Sequence, residues 1–336
     1  MRRTFRLAGL TATLAVLLAL ANPVPAAAHV VGTGGSPTNY RTTVTAIRPS
    51  LPAVAAAVGI GGQFVRITNQ GAATIVILGY RGEPFLRLSG NQVQVNQLSS
   101  TAAQTGLIPV APAPGSPAAQ PRWVRSSDGD SAAWTDARVA PPQQTQRESE
   151  SWTLPLLVDG QQVTVSGTRD RIPPPSPWPW VVTLVLLTVA VAAIGWMRHW
   201  RRPMAAAVTA GILAFSLHVL GTGFAPQQNG PVFGWVSVGL VVGFALLVGA
   251  VCAVSALRGS ESAPDRAATA GGIVLILAAA DITVLWNSQL PFPGPAPLDR
   301  GLTVITYAAA VGLIIAGARL VRLARSRQAQ PESTSG

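Results

Sequence analysis

From residue 178 onward the chain is a series of five apolar runs, at 178–197, 204–224, 232–257, 267–290 and 301–321. Each is long enough for the roughly 20 residues that a hydrocarbon core demands. Runs of this kind satisfy their backbone polar groups in lipid as helices, so the expected second half is a five-helix transmembrane domain over 178–323, with the lipid bilayer as its first partner. Composition agrees, because 49% of residues are hydrophobic and only 11% charged, a balance that suits a polytopic membrane protein better than a soluble enzyme. The arginines supply an orientation. Arg198, Arg201, Arg202, Arg258, Arg266, Arg319, Arg322, Arg325 and Arg327 fall on one side of the runs, and the loops on the other side hold only Arg300. The arginine-rich side is therefore expected to be cytoplasmic, together with a disordered tail at 324–336. The formal charge of +11 is thereby read as topological, and no nucleic-acid partner is expected.

A proline-tryptophan collar, 173–180 (PPPSPWPW), precedes the first run. Proline favours extended geometry and tryptophan favours the headgroup zone, so the collar is the expected entry into the bilayer. Before it the pattern is different. Residues 1–28 have the basic start, apolar stretch and small-residue end of a cleaved signal peptide, which makes His29 the expected mature amino terminus. From about Tyr40 apolar residues alternate with polar ones, giving candidate strands at 42–47, 63–68, 74–78, 85–88, 92–95, 122–125 and 133–135. Asp159-Gly160 between 152–158 and 161–166 predicts a hairpin, because both residues tolerate positive φ. Pro155 predicts that the first strand of that hairpin lies at an edge. The proline-rich stretch 109–121 reads as an exposed loop. The expected fold for 29–172 is an extracytoplasmic all-β domain, an immunoglobulin-like β-sandwich, with a short open barrel as the alternative.

Chemistry is excluded more readily than assigned. All 24 basic residues are arginine, so Schiff-base and serine-lysine mechanisms are absent. Cys252 is the only cysteine, which rules out an intramolecular disulfide. Hydrolytic triads lack a base, since the only histidine before the collar is His29. The carboxylates there fall in turns and charged loops, and no enzyme activity is expected. His29 is a candidate copper ligand through its amine and imidazole, completed by carboxylate, amide or backbone groups. Inside the apolar runs two ionisable residues stand out, His218 and Asp281. Antiparallel packing permits their contact, either as a proton or cation site or as a polar pair that fixes helix register. Gly239-x-x-x-Gly243 and the series Ala308, Gly312, Ala316 offer small faces for close helix approach.

Three stretches, Ser36-Pro37-Thr38-Asn39-Tyr40-Arg41-Thr42, Gly79-Tyr80-Arg81-Gly82-Glu83-Pro84-Phe85-Leu86-Arg87 and 152–180, resemble a family of uncharacterised actinobacterial membrane proteins. The resemblance implies a signal peptide, an outer domain and C-terminal spans, without an established activity. Members commonly carry a tryptophan followed by Asp-His-Arg-x-His-Trp, a set suited to a metal or to polar recognition. The matching stretch here is Trp134-Thr135-Asp136-Ala137-Arg138-Val139-Ala140, with alanine at both histidine positions. The resemblance thus implies the architecture without that metal site. The expected function is a non-enzymatic envelope protein whose outer domain binds a partner protein, an envelope component or a small ligand. The alternatives are copper sensing or delivery through His29, and proton- or cation-coupled transport through His218 and Asp281.

Overall fold

A computed structural model describes residues 36–108, 120–140, 147–223 and 231–328, with side chains from 236 onward in the last stretch. The signal region, His29, most of the 109–121 loop and the tail beyond 328 lie outside the described residues.

Among the described residues ten strands form two antiparallel sheets. The larger has the order β1 (Tyr40–Arg48), β10 (Gln161–Arg171), β9 (Ser149–Val158), β4 (Ile75–Leu78), β5 (Pro84–Ser89), β6 (Gln92–Asn96) and β7 (Trp123–Asp128). The smaller has the order β2 (Val54–Val58), β3 (Phe64–Asn69) and β8 (Ser131–Thr135). Alternate residues of both sheets meet in one core, where Val65, Ile67 and Trp134 of the small sheet join Ile75, Ile77, Phe85, Leu154, Leu156 and Val165 of the large one. Trp134 sits at its centre, edge-on to Phe85 with ring centroids 5.7 Å apart. This is a two-sheet sandwich.

Local chemistry explains most of the strand boundaries. Asp159 and Gly160 adopt φ of 46° and 83° and close the β9–β10 hairpin, with Val158 opposite Gln161. Pro155, however, does not mark an edge. β9 lies between β10 and β4, but its pairing with β4 stops at Leu156, so the ladder on that side asks no donor of Pro155. β2, of sequence VAAAV, carries little strand propensity of its own; its pairing with β3 from Val54↔Asn69 to Val58↔Val65 holds it. A short helix, α1 (Ser100–Gln104), begins at Ser99, whose hydroxyl accepts from the Ala102 amide at 3.1 Å.

The second half contains α2 (Trp178–Ala193), α3 (Arg201–Gly223), α4 (Pro231–Leu257), α5 (Ala263–Leu277) and α6 (Ala296–Gln328). Among the described residues four helical stretches are long and apolar enough to cross a membrane: Trp178–Trp196, Arg201–Gly223, Val236–Leu257 and Ala296–Gln328. The expectation of five is corrected at 267–290. There α5 has only 15 residues and ends at Leu277, a turn follows, and a 3-10 turn occupies Asp281–Leu285 before irregular chain. The expectation of a disordered tail from 324 is also corrected, since α6 continues to Gln328.

Small residues set the helix contacts. Gly312 of α6 faces Val191 and the Thr188 carbonyl of α2, Gly211 of α3 faces Ala309, and Gly271 of α5 faces the Ala310 carbonyl. Gly239 and Gly243 of α4 instead face open space. At one end of the bundle Gly195 meets Ala316, the Arg201 guanidinium lies against Gly259, and Pro264 meets Gly317, which gathers the arginines there. The β domain joins the opposite end.

Candidate functional site: a histidine between two carboxylates

At the β-domain end of the bundle α3 brings in His218, 5% exposed, and the start of α6 brings in Asp299, fully buried. His218 Nδ1 lies 2.6 Å from Asp299 Oδ1, and Nε2 lies 3.4 Å from Asp281 Oδ2. The two sequence-selected residues do meet, but a third completes the cluster. Asp281 is the more accessible carboxylate, with 26% of its side chain exposed. The second oxygen of Asp299 has no hydrogen-bond partner among the described residues. A buried carboxylate so placed is expensive in an apolar bundle unless a cation faces it, and a protonated His218 would supply one.

The helix interruption is built from α6. Tyr307 donates its hydroxyl to the Ala278 carbonyl, just past the end of α5. Arg300, itself buried, donates from Nε to the Val284 carbonyl at 3.1 Å and from Nη2 to the Asn287 carbonyl at 2.8 Å. Carbonyls released by breaking a helix at this depth need such donors. The Asp281 amide also bonds the Ala278 carbonyl at 2.8 Å, so the turn and the carboxylate are fixed together. With His218 charged, one imidazolium stands between the two carboxylates, and a neutral imidazole would leave both without that cation.

The same segment carries the β domain. Thr38 and Gln289 exchange backbone hydrogen bonds of 2.9 and 2.8 Å as an antiparallel bridge. Asn39 clasps both sides of the joint, donating to the Trp286 carbonyl at 3.2 Å and accepting from the Ser288 amide at 2.8 Å. Ser288 donates to the Pro173 carbonyl of the collar at 2.5 Å. A cleft of about 350 Å³ opens beside this joint, between Thr42, Gly61 and Gly62 of the β domain and Gln289 and Phe292. Among the described residues no charged side chain lines it.

Sequence reasoning missed Asp299, Arg300 and Tyr307. By hydropathy Asp299 and Arg300 fall in a loop, because the fifth apolar run starts at Gly301. Pro295 and Pro297 followed by Asp299 are, in retrospect, a helix-start signal, since proline suits the first turn and an acid suits its dipole. Nothing local marks Tyr307 as the partner of a broken helix.

Two of the stretches that carry the resemblance, 79–87 and 134–140, meet elsewhere, within the sandwich. Asp136, fully buried, accepts from Trp134 Nε1 at 3.0 Å and from Arg138 Nε and Nη2 at 2.9 and 2.7 Å. Arg138 also reaches the Leu78 carbonyl at 3.1 Å and lies over the Tyr80 ring, 4.9 Å from its centroid. The Tyr80 hydroxyl accepts from the Ala137 amide at 3.0 Å. Burial, chiefly, raises the Tyr80 phenol above its ordinary value, the Ala137 bond opposing. Nearby, Glu83 accepts from the Thr101 hydroxyl at 2.8 Å, the Ser99 hydroxyl at 3.0 Å and the Thr101 amide at 3.1 Å. These groups are spent on holding strands β4, β5 and β8 and helix α1 together. His29, the candidate copper ligand, lies outside the described residues. Among the described residues no group of three or more histidine, cysteine or acidic side chains is arranged to hold a metal ion.

Compared with family models, curated proteins and solved structures, the chain finds no match.

Proposed function

We propose that the protein is a non-enzymatic integral membrane protein of the cell envelope, in which the β domain is an outward binding module and proton occupancy of His218 is linked to how that module is held. The observation that carries this reading is a shared segment: Asp281, which faces His218, begins the same 281–289 stretch that Thr38 and Asn39 grip. A change of charge at His218 acts on Asp281, and Asp281 acts on the joint. The uncharged cleft beside the joint is the natural seat for a small ligand, and a partner protein or envelope component on the β domain would pull on the same segment. The polar groups of the sandwich support a binding rather than a catalytic role, because Asp136 and Glu83 are engaged in the fold. We place the chain with the actinobacterial membrane proteins that it resembles.

Linkage is reciprocal, which gives the test. If the charge on His218 controls the joint, then weakening the joint shifts the titration of His218. In nanodiscs, histidine-labelled protein is titrated by nitrogen NMR as wild type and as Asn39→Ala, with His218→Gln assigning the resonance. The reading expects a displaced midpoint in Asn39→Ala. Superimposable titrations would show that cluster and joint are independent.

A further inference from the structure

The end of the bundle opposite the β domain carries a second organised feature, unrelated to the histidine cluster. Among the described residues nine arginines gather there, Arg198 through Arg202 on the α2–α3 connection, two flanking the α4–α5 turn and four on the last turns of α6, against only Glu261 and Asp265. None of the nine makes a salt bridge among the described residues, whereas four arginines of the β domain do. Most are exposed side chains. Arg319 differs. Its guanidinium lies over the Trp196 ring at 4.1 Å from the centroid, its stem lies beside Gly195, and its Nε is buried without a hydrogen-bond partner.

Stacking on an indole fixes a guanidinium plane while leaving its edge donors available, and a fixed fork matches two oxygens of a phosphate. Trp196 is 60% exposed, beside the exposed Met197, and so adds the amphipathic ring that membrane interfaces favour. Arg322, one turn along α6, and Arg198, on the facing connection, add positive charge without a salt-bridge partner among the described residues. A preformed donor fork, an interfacial tryptophan and unbalanced positive charge together describe a headgroup receptor rather than a merely charged rim.

We propose that the Trp196–Arg319 stack binds the phosphate of an anionic phospholipid in the leaflet at this end of the bundle. The anionic lipid is preferred over a zwitterionic one because the surrounding arginines repel an ammonium headgroup and attract the additional negative charge. Arg319 makes the bidentate contact, Trp196 holds its plane, and the neighbouring arginines raise the local lipid concentration.

The test compares lipid retention by full-length protein, transferred from nanodiscs of phosphatidylcholine containing about one fifth phosphatidylglycerol and read by native mass spectrometry. Wild type should retain phosphatidylglycerol over phosphatidylcholine by about fivefold or more beyond their supply ratio. Arg319→Gln should abolish the preference, and Arg319→Lys should restore only part of it, since an ammonium is a point charge without the fork. Trp196→Leu, which keeps every arginine, should also lower it. Arg325→Gln, on the exposed final turn, should leave it intact. Equal retention of the two lipids by wild type would overturn the proposal. So would a loss in Arg325→Gln as large as that in Arg319→Gln, which would show diffuse attraction without a site.

Discussion

His218 has Asp299 as its nearer carboxylate: 2.6 Å separates Nδ1 from Asp299 Oδ1, and 3.4 Å separates Nε2 from Asp281 Oδ2. The two carboxylates are therefore unequal in both distance and burial, and their removal should be unequal in cost. Asp299 is fully buried, so Asp299→Ala strips a charged imidazole of its close partner and should lower stability by about 3 kcal/mol. Asp281 is partly exposed and more distant, and Asp281→Ala should cost about 1 kcal/mol or less. Reversible unfolding in mixed micelles measures both. Equal losses would mean that the shorter contact carries no special weight.

Helix approach in the bundle depends on particular glycines. A methyl on Gly312 would stand 2.5 Å from Val191 Cβ, whereas nothing lies within 4 Å of the corresponding point on Gly239 or Gly243. Gly312→Leu should therefore destabilise the bundle by about 1–3 kcal/mol through forced separation of α2 and α6. Gly239→Leu should change it by less than about 0.5 kcal/mol. Thermal unfolding in the same detergent decides. A large loss in Gly239→Leu would show that this face of α4 is covered by another molecule.

The sandwich should respond to acid through Glu83. Burial acts to raise this carboxyl, but hydrogen bonds from the Thr101 hydroxyl, its own backbone, the Thr101 amide and Ser99 outweigh it and hold it at about 2, below the ordinary 4.5. A group depressed on folding stabilises the fold fully above its ordinary value, and the contribution fades as pH falls from 4.5 toward 2. Tryptophan fluorescence of the whole protein should therefore show a loss of stability across that window. Glu83→Gln should be less stable at neutral pH, with a shallower acid response. An unchanged acid profile in Glu83→Gln would assign the acid sensitivity to other groups.

The strands were legible wherever turn chemistry and alternation coincided, as at Asp159-Gly160. β2 was not, because five small apolar residues have no period and gain their conformation from β3. The helical half was legible in its apolar lengths and in its sided arginines. It was misread at 267–290, where hydropathy continues but the helix does not. What ends the helix is the Tyr307 hydroxyl on the Ala278 carbonyl and the Arg300 guanidinium on Val284 and Asn287, contacts from residues 13 to 29 positions away. His218 and Asp281 announced themselves as charges in apolar surroundings. Asp299 did not, because it sits among prolines that resemble a loop, although the same prolines start α6.

The central claim, that the charge on His218 sets the hold on the β domain, is tested most directly by an interdomain distance. Spin labels at Val124→Cys on β7 and Leu240→Cys on α4, both exposed sites, are introduced with Cys252→Ser, and their separation is read by pulsed dipolar spectroscopy in nanodiscs. The wild-type cluster should give one narrow distribution, and His218→Gln, which leaves Asp281 without the cation that faces it, should broaden it. Adding Asp281→Asn removes the uncompensated carboxylate, so the double variant should be narrow again. A distribution in His218→Gln as narrow as in wild type, or an equal broadening in the double variant, would contradict the account.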